Sequence, residues 1–255
     1  MDDFTKSGRP SKSGRFGVTV LIPARGGSKG IEKKNLRLVG GVSLVGRAVE
    51  IAKQLAGIDA IVVSTDDSEI ASEAVSRGAL VHQRSELLSR DDAVVADLIR
   101  SFFGLGQPAS APSPEIANSR YFLLLEPTAP LRRVASLSAC LSHLADGADS
   151  SATMGSARIH PLRVFRRGDG LSIVPFIPLS DPWNPRQTLE PVYQMTGGAY
   201  GCDLVNFPLD GKSLVFGDFR PVFVNESEAV DIDSLLDLYV ADYLATSSET
   251  IQSET

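Results

Sequence analysis

The sequence predicts an α/β fold in which a mostly parallel sheet carries helices on its faces, and three observations predict it. Short β-branched runs, Val18-Thr19-Val20-Leu21-Ile22 and Ala60-Ile61-Val62-Val63-Ser64, alternate with segments of helical period. Tyr121-Phe122-Leu123-Leu124-Leu125 is apolar throughout, as a central strand covered on both sides must be. The first strand empties into a loop with several glycines, the kind of edge at which an open α/β sheet holds a ligand.

In order along the chain, residues 43–55 read as a helix whose Ala48, Ile51, Ala52 and Leu55 share one face, with Gly57 just beyond. After the second strand, Thr65-Asp66-Asp67 opens another helix, with Asp66 as its expected N-cap and Ile70, Ala71, Ala74 and Val75 as its buried side. Ala79-Leu80-Val81 is a short strand. Asp91 and Asp92 are expected to cap a helix over 93–103, and the proline-containing stretch 104–119 is an exposed connection. The central strand leads to a helix carrying Leu137, Cys140, Leu141 and Leu144 on one face. Beyond the strand Ser151-Ala152-Thr153-Met154 the texture changes. Residues 158–191 are rich in proline and arginine without helical period, and read as a hairpin-like excursion suited to self-association. The chain re-enters the sheet at 193–200, adds the strand Pro221-Val222-Phe223-Val224, and closes with an amphipathic helix containing Leu235, Leu236, Tyr239, Val240 and Tyr243. The expected layout is a tail at 1–15, one domain over 16–246 with its excursion at about 155–192, and a polar tail at 247–255.

Composition narrows the function. The 255 residues carry a formal net charge of -6, 43% hydrophobic and 22% charged residues, which describes a soluble globular chain and not a general nucleic-acid binder. Two cysteines, Cys140 and Cys202, fit neither a disulfide framework nor a metal site, so a reducing, cytoplasmic setting is expected. No run is long enough to span a membrane.

Against this acidic background the loop after the first strand stands out. It holds Arg25, Gly26, Gly27, Ser28, Lys29, Gly30, Lys33 and Lys34. Glycines let the backbone approach a ligand, and the cations match several phosphate groups, so a small anionic ligand is expected. The P-loop pattern fails because Lys29 is followed by Gly30, and no G-x-G-x-x-G occurs there. Ser64 and Asp66 lie at the carboxyl end of the second strand, the ligand edge.

Residues 22–35 match I-P-A-R-x-G-S-K-G-I-x-x-K-N, and in this the chain resembles the acylneuraminate cytidylyltransferases, which activate sialic acids and related nonulosonates. The resemblance recurs in order at Ser64-Thr65-Asp66, Arg84-Ser85-Glu86-Leu87, Leu125 to Arg132 against L-Q-P-T-S-P-L-R, His160-Pro161-Leu162-Arg163, Arg186-Gln187, Tyr193 to Tyr200, and Val230-Asp231-Ile232-Asp233. It implies a three-layer, Rossmann-like sheet of the nucleotide-diphospho-sugar transferase type, with an excursion used for sugar binding and dimerisation. It also implies transfer of CMP from CTP to the anomeric hydroxyl of an acidic keto-sugar, with Mg²⁺ as cofactor and a homodimer as the working state.

The resemblance assigns Arg25, Gly27, Ser28, Lys29, Asn35 and Arg84 to the nucleotide, with Arg25, Lys29 and Lys34 on the triphosphate. Asp231 and Asp233 are hard oxygen ligands two residues apart, so a strand would point both at one ion. A helix N-cap at Asp233 beside a solvated Asp231 fits the same residues, as an ordinary surface arginine fits Arg84. The sugar side is expected from Glu126, Thr128, Arg163, Arg186, Gln187, Tyr193, Thr196 and Gly197, the arginines pairing with its carboxylate. Two departures from the family pattern, Glu126 for Gln and Thr196-Gly197 for Asn-Gly, point to a sugar other than plain N-acetylneuraminate. The alternatives are an octulosonate cytidylyltransferase, another nucleotidyltransferase of this fold, or a non-catalytic nucleotide-sugar binder.

Overall fold

The computed structural model describes residues 17–27, 30–90, 92–106, 116, 118–178 and 181–253. Strands β1 (Gly17–Pro23), β4 (Ala60–Thr65), β5 (Leu80–Gln83), β6 (Ser119–Leu124), β7 (Ser150–Ser156), β10 (Tyr193–Asp203) and β11 (Phe219–Phe223) form one seven-stranded sheet in the order β11-β7-β10-β6-β1-β4-β5. β2 (Leu38–Val39) and β3 (Val42–Ser43) make a small antiparallel hairpin, as do β8 (Phe165–Arg167) and β9 (Ile173–Pro175) on the excursion. β1 pairs in parallel with β4 and β6, β4 with β5 and β7 with β11, while β10 runs antiparallel between β6 and β7. The chain leaves β1 toward β4 and β5, then returns to β6 on its other side. That reversal opens a crevice at the carboxyl ends of β1, β4 and β6.

Alternation along β1 builds the layers. Val20 and Ile22 face α1 (Leu44–Lys53), α2 (Ser68–Ser76) and α5 (Val134–Ala145), whereas Leu21 faces α4 (Val95–Phe103) with Phe122 and Leu124. Helix ends follow local chemistry. The Ser43 hydroxyl accepts the Gly46 N–H at 3.0 Å to cap α1, and Gly104 closes α4 at φ 66°. A short α3 spans Glu86–Ser89.

Several expectations are corrected. Asp67, not Asp66, caps α2, accepting the N–H groups of Glu69 and Ile70, because β4 runs on through Thr65 and delays the helix to Ser68. Val75 is exposed, since only Ile70 and Ala74 of α2 are turned fully into the core. The last helix, α6 (Leu235–Ser253), packs through Leu238, Ala241, Leu244 and Ala245, and exposes Leu235, Leu236, Tyr239, Val240 and Tyr243. Its apolar side faces outward because the inner side must fit closely against the β2–β3 hairpin: a Cβ on Gly40 would stand 3.2 Å from that of Ala245. Where a tail is expected from 247, the backbone stays helical to Ser253, with no glycine or proline to interrupt it. The expected tail at 1–15 and the cap at Asp91 lie outside the described residues.

Candidate active site

The loop after β1 is built into the sheet edge by backbone contacts. Asp66 Oδ1 accepts the Gly26 N–H at 2.8 Å, and the Asn35 amide donates to the Arg25 carbonyl at 2.9 Å. A Cβ on Gly26 would come within 2.7 Å of the Asp67 carboxylate, so this close approach needs glycine. Lys34 Nζ donates to the Ile232 carbonyl at 2.9 Å and lies 3.4 Å from Asp233 Oδ1, which joins the loop to the segment before α6. The Ile232 N–H in turn donates to the Thr128 carbonyl at 2.9 Å. Three stretches far apart in sequence thereby meet around one crevice.

That crevice is a cleft of about 330 Å³ lined by Arg25, Lys34, Asn35, Arg84, Glu126 and Thr128, with Arg90, Leu88, Ala93 and Val95 at one end. Arg84 is 8% exposed; its Nη2 donates to the Ser64 carbonyl at 3.0 Å and its Nε to the Ser64 hydroxyl at 3.3 Å. It is therefore a fixed wall of the site and not a surface arginine, and burial lowers its pKa. Burial, reinforced by the charge of nearby Asp231, pushes the Glu126 carboxyl up to about 7.

The acidic pair lies in an extended turn and not in a strand, yet its alternation persists. Ile232 is fully buried, Asp231 half-buried and Asp233 exposed. The helix cap is Ser234, whose hydroxyl accepts the Asp237 N–H at 3.3 Å while Asp237 Oδ2 accepts the Ser234 N–H at 2.8 Å, a capping box. Asp233 is thus not needed as a cap, and Asp231 Oδ1 is buried without a hydrogen-bond partner. An orphaned carboxylate oxygen beside a second carboxylate fits a hard divalent cation. Among the described residues no three acidic, histidine or cysteine side chains could hold an ion by themselves, so such a cation would share ligands with substrate phosphates.

The expected sugar residues are placed unevenly. Glu126 and Thr128 line the cleft, and Gly197, at φ 68°, lies so close that a Cβ there would stand 2.9 Å from Glu126 Oε2. Thr196 does not line the cleft: it is buried, with its hydroxyl 2.7 Å from that of Thr153, because the irregularity in β10 after Met195 turns it into the sheet. Arg163 donates to the Asn184 carbonyl at 2.8 Å, Arg186 and Gln187 occupy an exposed 3-10 turn, and the half-exposed Tyr193 ring packs tilted against that of Phe223, centroids 4.6 Å apart. None of these four lines the cleft, and Gly27 is exposed beside it. Ser28 and Lys29 lie outside the described residues. Arg90 lines the cleft although no motif marks it. His82 on β5, its Nδ1 3.0 Å from the Ser64 hydroxyl, stands just past the strand read at 79–81 and is marked by no motif.

A sequence profile of the cytidylyltransferase family matches residues 19–107, the stretch that supplies the basic loop, β4 and Arg84. The flagellin modification protein B of Campylobacter coli is 30% identical over 233 residues, covering 89% of this chain and 94% of that protein. The chain belongs to the acylneuraminate cytidylyltransferase family. Within it, the CMP-N,N'-diacetyllegionaminic acid synthase of Legionella pneumophila is 28% identical over 86% of this chain and 92% of its own length. The zebrafish N-acylneuraminate cytidylyltransferase A is 40% identical over 101 residues; the chain spans about a quarter of that relative's length, 24%. A solved CMP:2-keto-3-deoxy-manno-octonic acid synthetase complexed with CTP shares the fold at a TM-score of 0.65 and 16% identity, over 91% of this chain and 99% of that one.

Proposed function

We propose that this cytidylyltransferase transfers CMP from CTP to the anomeric hydroxyl of a sialic-acid-like nonulosonate and releases pyrophosphate. The observation that carries the reading is Lys34, which ties the basic loop to the Asp231–Asp233 turn at the edge of the cleft. Arg25, Lys29 and Lys34 hold the triphosphate, and Ser28, Asn35, Arg84 and Gly27 belong to the nucleotide. Asp231 and Asp233 would hold Mg²⁺, which offsets charge on the reacting phosphate. The sugar oxygen bonds to the α-phosphorus as the bond to the β-phosphate oxygen breaks, and the hydroxyl proton is released. Among the described residues no Ser-His-Asp or Cys-His arrangement lines the cleft, which supports direct attack without a covalent enzyme intermediate.

The sugar approaches from the Glu126, Thr128 and Gly197 side, with Arg163, Arg186 and Gln187 on the excursion and Tyr193 at the start of β10 reaching it in a homodimer. Exposed Leu171, Ile173, Phe176 and Trp183 on that excursion support self-association. Among the described residues no helix is long and apolar enough to cross a membrane, in keeping with a cytoplasmic enzyme. Pyrophosphate release tests the reading, with Mg²⁺ and CTP, UTP or GTP across a panel of nonulosonates and an octulosonate. Turnover confined to CTP and a nonulosonate is expected, with a legionaminate- or pseudaminate-like sugar preferred because Glu126 replaces the family's glutamine. Turnover with the octulosonate alone would establish the second reading, which the likeness to the octonic acid synthetase supports. CTP binding without turnover on any sugar would overturn both.

A further inference from the structure

Ser64, His82 and Arg84 form a polar chain behind the cleft. Ser64 and His82 are register partners on β4 and β5, and Arg84 follows directly after β5, its N–H donating to the Thr65 carbonyl at 2.8 Å. The Ser64 hydroxyl lies 3.0 Å from His82 Nδ1 and 3.3 Å from Arg84 Nε, and Ser64 has no exposed surface. Donor and acceptor roles follow from chemistry. A guanidinium only donates, so Ser64 Oγ accepts from Arg84. A serine hydroxyl has one proton and two lone pairs, so with Arg84 on one lone pair its proton can point at His82 Nδ1 when that is the unprotonated nitrogen of the ring.

We propose that Ser64 and His82 are positioning residues for Arg84: His82 Nδ1 accepts a hydrogen bond from the Ser64 hydroxyl, so that Ser64 Oγ and its carbonyl together hold the guanidinium with its remaining edge toward the cleft. The charges around this chain agree. α4 presents the Phe102 ring to His82, edge-on at 5.0 Å, and the charge acting on the imidazole is that of Arg84. Asp66 and Arg25 act on Arg84 from the β4 end and the first loop. Burial, then the charge of Arg84, lowers the His82 pKa, which keeps the ring neutral at neutral pH. In acid, an imidazolium would turn the hydroxyl around and set two cations on one oxygen, releasing Arg84 from its position.

The inference rests on the reading of the cleft as a CTP site, and the experiment separates the two. CTP affinity is measured by calorimetry without sugar, and kcat and KM with it, for wild type, Ser64→Ala, His82→Leu and His82→Asn. Asn places an acceptor where Nδ1 stands but does not titrate. Ser64→Ala and His82→Leu should weaken CTP binding about tenfold, the loss appearing in KM for CTP rather than in kcat. His82→Asn should bind CTP like wild type, yet lose the additional fall in affinity that wild type shows well below the ordinary histidine value of about 6.5. The ligand-free protein supplies a second readout. ¹⁵N spectra should show His82 Nδ1 unprotonated and the Arg84 Nε–H protected from exchange, with that protection lost in Ser64→Ala. A folded Ser64→Ala protein with wild-type affinity and an unchanged Arg84 signal would overturn the proposal, as would an acid limb that survives in His82→Asn. If wild type binds no CTP while the spectra show the network, the positioning stands and the CTP reading falls.

Discussion

The proposed nucleotide end and the proposed sugar side of this molecule are finished to different degrees within one chain. At the nucleotide end the polar groups hold one another: Asp66 grips the Gly26 N–H, Asn35 the Arg25 carbonyl, and Ser64 the buried Arg84. On the excursion Arg186 and Gln187 face outward, and Leu171 and Trp183 are almost wholly exposed beside them. Buried, mutually bonded side chains keep their geometry before a ligand arrives, whereas apolar side chains left in water gain by being covered. The difference teaches that the first region is preorganised by its own fold, and that the second gains from cover by another surface, which the proposed homodimer would supply.

The largest effect that would break this contrast is at the junction of the two regions. Asp231→Ala should reduce turnover by at least about a hundredfold, since even outer partners of a metal ligand cost 10–100-fold. Its circular dichroism should match wild type, because the turn is held by Lys34 and Thr128 through the backbone of Ile232. Wild-type turnover in that variant would remove Asp231 from the metal site. Next, Trp183→Asp should weaken self-association by roughly 30-fold, about 2 kcal/mol, as read by sedimentation equilibrium, and leave CTP affinity intact. An unchanged association constant would assign the exposed excursion to some other partner.

The smallest effect sharpens the contrast at Glu126, which borders both regions. Its carboxyl is raised from 4.5 to about 7 in the fold, so its favourable contribution is complete below the ordinary carboxylate value and is lost as pH rises through about 7. Metal-free Glu126→Gln should therefore be more stable than wild type at about pH 8, by on the order of 2 kcal/mol, and the gap should close toward pH 4.5. Parallel melting curves across that range would remove burial as the cause of the shift. Thr196, already bonded to Thr153 inside the sheet, predicts no such change.

Much of the first region was legible because its signals are local. Apolar runs such as Tyr121 to Leu125 admit one burial pattern, and Gly78 and Gly104 end helices by positive φ. Other elements misled for equally physical reasons. α6 is apolar on two sides, and its period names both without saying which meets the core; the small Ala241 and Ala245 face inward because the β2–β3 hairpin comes so close. Asp66 and Asp67 are adjacent and chemically alike, and their roles as loop anchor and helix cap part only because β4 extends one residue further than its apolar run. Asp233 looked as much like a helix cap as a ligand until Ser234 and Asp237 filled that role.

By itself, then, the sequence determined the α/β alternation, the strand that feeds the basic loop, and the family, since these depend on residues close together in the chain. The tertiary structure alone decided that Lys34 meets Asp233 across 199 positions, that Ser64 and His82 stand behind Arg84, and that Thr196 turns into the sheet. Strand order and register bring these groups together, and neither is written in the spacing of any one segment.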